Sequence, residues 1–192
     1  MRNRFFLFCI STTLAYSFST CGKVIADNQA SQQMELGQAL EAMQTGRMWE
    51  SRGDLDEAAS HYMWALNSAM GTIPKNGYES VPFCGEPLNV LARRILYMDQ
   101  QLLKTPGRTK RSGAAIVGQI KNLYRTLETL EPSDPSWVYL DACLAADAGN
   151  YVAAYPRAQK VATMPGADQD IRGRAQRLVA HIKPGYDAQL KW

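Results

Sequence analysis

Apolar residues recur at helical spacing through most of the chain beyond residue 30, and they predict seven helices. The first, over 30–51, sets Met34, Leu36, Leu40, Met43 and Trp49 at loose three-to-four spacing, and Gly53-Asp54 ends it. The second, 54–70, gathers Leu55, Ala58, Ala59, Tyr62, Met63, Leu66 and Met70 on one face. A loop with Pro74, Gly77, Pro82 and Gly85 runs from Gly71 to Glu86. The third helix, 87–104, carries Leu88, Leu91, Ile95, Leu96, Met98, Leu102 and Leu103, and Pro106-Gly107 closes it. The fourth opens at Ser112, an N-cap residue, and ends at Pro132. Ser133-Asp134-Pro135 starts the fifth, which reaches Gly149. A sixth over 151–163 and a seventh over 168–183 follow, with Pro184 as the stop. No segment alternates apolar and polar residues with β-branched enrichment, so the expected class is all-α, without a sheet. Very short connections between helices 1–2, 4–5 and 5–6 make those neighbours antiparallel hairpins.

The first 26 residues belong to a different pattern. Arg2 and Arg4 precede an apolar stretch from Phe5 to Phe18, and Val24-Ile25-Ala26 has the small residues of a signal-peptidase site. Ser11, Thr12, Thr13, Ser17, Ser19 and Thr20 dilute the stretch below what a spanning helix needs. A cleaved secretory signal over 1–26 is therefore expected, and with it a periplasmic or secreted protein without an integral span. The alternatives are an uncleaved signal acting as an anchor, or lipidation of Cys21, which Phe18-Ser19-Thr20 precede as a poor lipobox.

Cleavage changes the charge and the cysteine count. The formal charge of the whole chain is +3; the signal takes away Arg2, Arg4 and Lys23, leaving 18 basic and 18 acidic residues. Zero net charge removes the argument for a nucleic-acid partner. Cys84 and Cys143 remain, and two cysteines in an exported chain are expected to pair. Such a bridge would contribute about 4 kcal/mol in the chain-entropy model; two separate buried thiols are the alternative. Only His61 and His181 are present and no CxxC or HExxH occurs, so neither a metal nor a cofactor is expected.

Charge is segregated along the mature chain. Residues 27–57 hold seven acids and two bases, 93–125 eight bases and one acid, 126–156 five acids and no base, and 157–191 seven bases and three acids. Blocks of this kind predict helices that complement one another when stacked.

The stretch from Gly53 through Ala58, Ala59, Tyr62 and Ala65 to Leu66 resembles the second helix of a tetratricopeptide repeat, with Gly46 and Trp49 at the small and aromatic places of the first helix. A second copy has Trp137, Ala142 and Ala145, a turn at Gly149-Asn150-Tyr151, and Ala154 in the place of Ala58. The family's period gives frames 39–72, 101–134 and 135–168, a terminal capping helix over 169–192, and an insertion over 73–100 in a single domain. This sequence departs from the family at Pro156, inside a helix, and in the middle frame, which lacks the small-residue landmarks.

What the resemblance implies is a short solenoid acting as an interaction scaffold, with a protein or peptide held on the inner face built by first helices. In these frames Met43, Arg47 and Glu50 face the groove from the first copy, and Ser136, Tyr139, Cys143 and Asp147 from the later one. The basic loop Lys104–Arg111 exposes Arg108, Lys110 and Arg111 to an acidic partner or anionic surface. A bond between Cys84 and Cys143 would pin residues 71–87 across that inner face. A second reading is a small exported inhibitor or immunity-type protein with Phe83–Pro87 as a protruding loop. Enzyme activity is not expected: Glu50, Asp54, Ser60, His61 and Tyr62 form no recognisable catalytic order.

Overall fold

A computed structural model describes residues 33–72, 83–105 and 107–191. Within them lie seven α-helices and no strand beyond a single bridge between Phe83 and Glu86. They are α1 (33–51), α2 (Leu55–Thr72), α3 (Leu88–Lys104), α4 (Gly113–Leu130), α5 (Pro135–Asp147), α6 (Tyr151–Thr163) and α7 (Gln169–Gln189). Helices pack on their neighbours in sequence order, and α5 also touches α7. The 1–26 signal lies outside the described residues.

Two hairpins close in the same way. After α1, Gly53 N–H donates to the Glu50 carbonyl at 2.9 Å and Asp54 N–H to the Trp49 carbonyl at 3.1 Å. After α5, Gly149 N–H donates to Ala146 at 2.9 Å and Asn150 N–H to Ala145 at 2.9 Å. Both are Schellman turns, and they require the left-handed backbone of Gly53 (φ 78°) and Gly149 (φ 71°). In each, the next residue caps the following helix: Asp54 accepts from Glu57 N–H and Asn150 from Ala153 N–H. The α1–α2 pair is drawn close at Gly46, where an added Cβ would stand 2.6 Å from two ring carbons of Tyr62.

The main core runs from α1 to the start of α5 and includes Met43, Tyr62, Leu66, Phe83, Leu91, Ile95, Leu123 and Leu127. Two smaller clusters tie α5, α6 and α7: Val138 with Val161 and Ala175, and Ala145 with Ala154 and Ile182. The charge blocks complement one another across this stack. Arg93 meets Glu131 at 2.6 Å, Arg157 meets Asp141 at 2.9 Å and Glu128 at 3.3 Å, and Lys160 meets Glu128 at 2.7 Å.

Within the expected insertion of 73–100, α3 packs on both α2 and α4, and 73–82 lie outside the described residues. Two expectations are corrected. Pro184 does not stop α7, which continues to Gln189. Its last turns are held by α6: Tyr186 stacks on Tyr155 at 4.3 Å between centroids, Gly185 fits beneath the Tyr151 ring, and Gln189 Nε2 donates to the Gly149 carbonyl at 2.8 Å. Those contacts offset the N–H that proline lacks. Finally, Cys84 and Cys143 are both free, so no bond pins the 83–87 segment.

Candidate partner-binding groove

The exposed strip of α3 is the candidate binding surface. Arg94 leans one way, with Nη1 3.7 Å from Glu50 Oε2 on α1 and its guanidinium 5.7 Å from the Tyr62 ring on α2. Arg93 leans the other way, hydrogen-bonded to Glu131 through Nε (3.1 Å) and Nη2 (2.6 Å) and lying 4.9 Å over the Trp137 ring of α5. Tyr97 follows on the same strip, 61% exposed and without a hydrogen bond among the described residues. The outward side of α3 therefore lies between α1 and α5, with an unpartnered aromatic at its centre.

On the α1 side, Arg47 is exposed and Glu50 is half-buried. Glu50 accepts from the Tyr62 hydroxyl at 2.6 Å. Burial, reinforced by Glu50, pushes the Tyr62 hydroxyl up to about 12. Arg47 Nη2 donates to the Cys84 carbonyl at 3.2 Å, and Arg94 Nη2 is 2.9 Å from Glu86 Oε1. Phe83 and Glu86 exchange backbone hydrogen bonds of 2.9 and 3.1 Å around Cys84 (φ 54°) and Gly85 (φ 80°), a two-residue turn of the kind with both central residues left-handed. Phe83 is buried in the core. The segment thus does lie against α1 and α3, anchored by an aromatic plug and two arginines instead of a sulfur bridge, and it does not protrude. Burial pushes the Cys84 and Cys143 thiols up.

On the far side, Ser136, Tyr139 and Leu140 of α5 and Asp170, Ile171 and Arg174 at the start of α7 line a cleft of about 240 Å³. Burial pushes the Tyr139 hydroxyl up, with Cys143 adding to it. Arg174 is paired with Asp170 at 2.6 Å. Asp147 is exposed at the C-terminal end of α5. Among the described residues, no helix is long and apolar enough to cross a membrane, and no group of three metal-ligating side chains could hold an ion.

No family model matches the chain, and no curated protein or solved structure matches it significantly. The site is therefore read from its own residues.

The basic loop is divided. The Arg108 side chain is exposed with no partner among the described residues, and Lys110 Nζ reaches Glu57 at 2.8 Å while remaining exposed. Arg111 instead turns inward. Its Nε donates to Asp56 at 2.5 Å, Nη2 to Asp99 at 2.8 Å, and Nη1 to Gln119 at 2.8 Å, so it joins α2, α3 and α4. It is a structural cation and is not offered to a partner. The sequence reading did not single out Arg93, Arg94 or Tyr97; the available signal was Tyr97 itself, an aromatic on the polar side of an otherwise regular amphipathic helix.

Glu131 fixes the α3–α5 edge of the groove. Besides both Arg93 bonds it accepts from Asn89 Nδ2 at 2.7 Å and Trp137 Nε1 at 2.6 Å. Glu131→Ala leaves these donors without an acceptor and is expected to cost about 1–3 kcal/mol, measured by denaturant unfolding. Burial alone would raise the Glu131 carboxyl, but Arg93 and the other donors hold it below its ordinary value. A depressed carboxyl contributes stability present above its unfolded pKa and lost as pH falls through the folded one. The difference between wild type and Glu131→Ala is therefore expected to shrink in acid.

Proposed function

We propose that this chain is an exported, tetratricopeptide-like scaffold that holds a segment of another protein along the side of α1, α3, α5 and α7. The observation that carries this reading is Tyr97, exposed and unpartnered between two arginines that are themselves fixed to the walls. Rigid aromatic surface beside anchored guanidinium groups is the composition of binding hot spots. The resemblance of the α1–α2 and α5–α6 hairpins to the repeat family supports it, as do their matching turns. At the α1–α3 end the charge balance favours an acidic segment: Arg47 and Lys104 carry no carboxylate partner among the described residues, whereas Glu50 and Glu86 are engaged by arginine; Asp170 is paired at the α7 end and Asp147 there is an unpaired acid. The signal-like residues 1–26 support export.

Photo-crosslinking tests the reading whatever the partner is. A photoreactive side chain at 97 or 139 is expected to give discrete adducts in cells, and one at Asn122, exposed on α4, is not. Adducts from 122 with none from 97 or 139 would overturn it.

A further inference from the structure

Four polar side chains meet where α2, α3 and α4 come together: Asp56 of α2, Asp99 of α3, Gln119 of α4, and Arg111 from the connection that precedes α4. Both acids are buried, and Arg111 and Gln119 are half-buried. The charged groups that face Asp99 are Arg111 and Asp56. Gln119 is neutral, and the Lys110–Glu57 pair lies at the exposed rim. Two carboxylates thus share one cation, and with both ionised the cluster buries an excess negative charge.

The cation is divided unequally. Asp56 accepts from Arg111 Nε on one oxygen and from the Lys110 backbone N–H, at 2.7 Å, on the other. Asp99 accepts from Arg111 Nη2 at 2.8 Å through Oδ1, while its Oδ2 is buried with no hydrogen-bond partner among the described residues. An ionised carboxylate with a bare buried oxygen is costly. A proton on Oδ2 removes that charge and breaks no bond, since Oδ1 still accepts from Arg111. It leaves Asp56 and Arg111 as a balanced pair.

We infer that Asp99 Oδ2 is a proton-binding site and that the cluster is a pH-sensitive clamp: with the proton bound in weak acid it holds α2, α3 and α4 as a neutral unit, and loss of the proton as pH rises loosens their junction. Burial pushes the Asp99 carboxyl above its ordinary value, in line with the geometry. Burial would also raise Glu128 and Glu131, but Lys160 and Arg93 hold them below theirs. Those two acids tie α4 to α6 and α3 to α5, and they stay ionised where Asp99 takes its proton. The acid response therefore belongs to the α2–α3–α4 junction. The clamp lies behind the candidate binding surface, two residues from Tyr97 on the buried side of α3.

A raised carboxyl contributes stability that is complete below its unfolded value and is lost as pH rises through its folded one. Carboxyl carbon NMR of the full-length protein reads the site directly, and urea unfolding of wild type and Asp99→Asn across pH reads its effect. The Asp99 resonance is expected to titrate above an ordinary aspartate, and that of Asp56 below one. From about pH 8 to about pH 4.5, the folded-to-unfolded ratio of the wild type is expected to rise about fivefold or more relative to that of Asp99→Asn, whose amide does not titrate. An Asp99 resonance that titrates at or below an ordinary aspartate overturns the proposal, whether or not the variant folds. So does a wild type whose stability follows pH as that of Asp99→Asn does.

Discussion

Arg111→Ala is expected to destabilise the protein by about 3–5 kcal/mol, the range for removing one partner of a buried charge cluster. Asp56 and Asp99 are 6% and 0% exposed, and Arg111 is the cation between them. Without it two carboxylates on adjacent helices face each other inside the protein. The two respond differently to their surroundings. Burial pushes the Asp99 carboxyl above its ordinary value, despite Arg111. Burial also acts on Asp56, but the Arg111 side chain and the Lys110 backbone N–H hold its carboxyl below the ordinary value. Asp56 thus adds stability that is present above its unfolded pKa and lost as pH falls through its folded one; a raised group such as Asp99 is destabilising when ionised and recovers as pH falls. Removing Arg111 raises both carboxyls. The deficit of Arg111→Ala is therefore expected to be largest near neutral pH and to shrink in acid, as read by urea unfolding across pH. A pH-independent deficit would point to lost packing instead. Arg111→Lys is expected to rescue only in part, because one ammonium cannot reach Asp56, Asp99 and Gln119 with a planar fork.

The second large effect is a reversal of sign at Gly46. In an open helix, Gly→Ala stabilises by about 1 kcal/mol. Here the new Cβ would meet the Tyr62 ring at 2.6 Å, and Tyr62 cannot easily move, because it is buried with its hydroxyl on Glu50. Gly46→Ala is expected to cost about 1–3 kcal/mol, as overpacking does. Tyr62→Ala alone is expected to cost about 3–5 kcal/mol through the cavity it leaves. In that background, Gly46→Ala becomes neutral or stabilising. The coupling between the two, from a double-mutant cycle, is the quantity to measure. Additive costs would mean that the close approach of α1 and α2 does not depend on this notch.

Helix positions were legible because local chemistry writes them. The N-caps Ser112 and Asp134 accept from the backbone N–H of Ala115 and Ser136, and Gly53 and Gly149 close their helices, as the sequence implied. What failed depended on residues remote in sequence. Pro184 reads as a stop until Tyr151 and Tyr155 cover the turns around it. Arg111 reads as an exposed loop cation until α2 and α3 bring two buried carboxylates to it. The frames left 73–100 without a packing role, whereas α3 keeps a regular apolar face that packs on α2 and α4. Arg47 and Glu50 were singled out through the repeat resemblance; its frames left α3 outside the repeats and so gave no reason to single out Arg93, Arg94 and Tyr97. The paired cysteines followed from counting, but Cys84 is held by an arginine and its neighbouring Phe83 plug, and both thiols are free.

The most direct measurement of the central claim is the affinity of the captured partner for Tyr97→Ala. Tyr97 is exposed and makes no hydrogen bond among the described residues, so the variant is expected to keep the thermal midpoint of the wild type. Its Kd for the partner is expected to rise by about tenfold or more, the loss typical of a central aromatic anchor. An unchanged Kd, with a loss instead on Asn122→Ala of α4, would contradict the account and move the binding surface to the opposite side of the array.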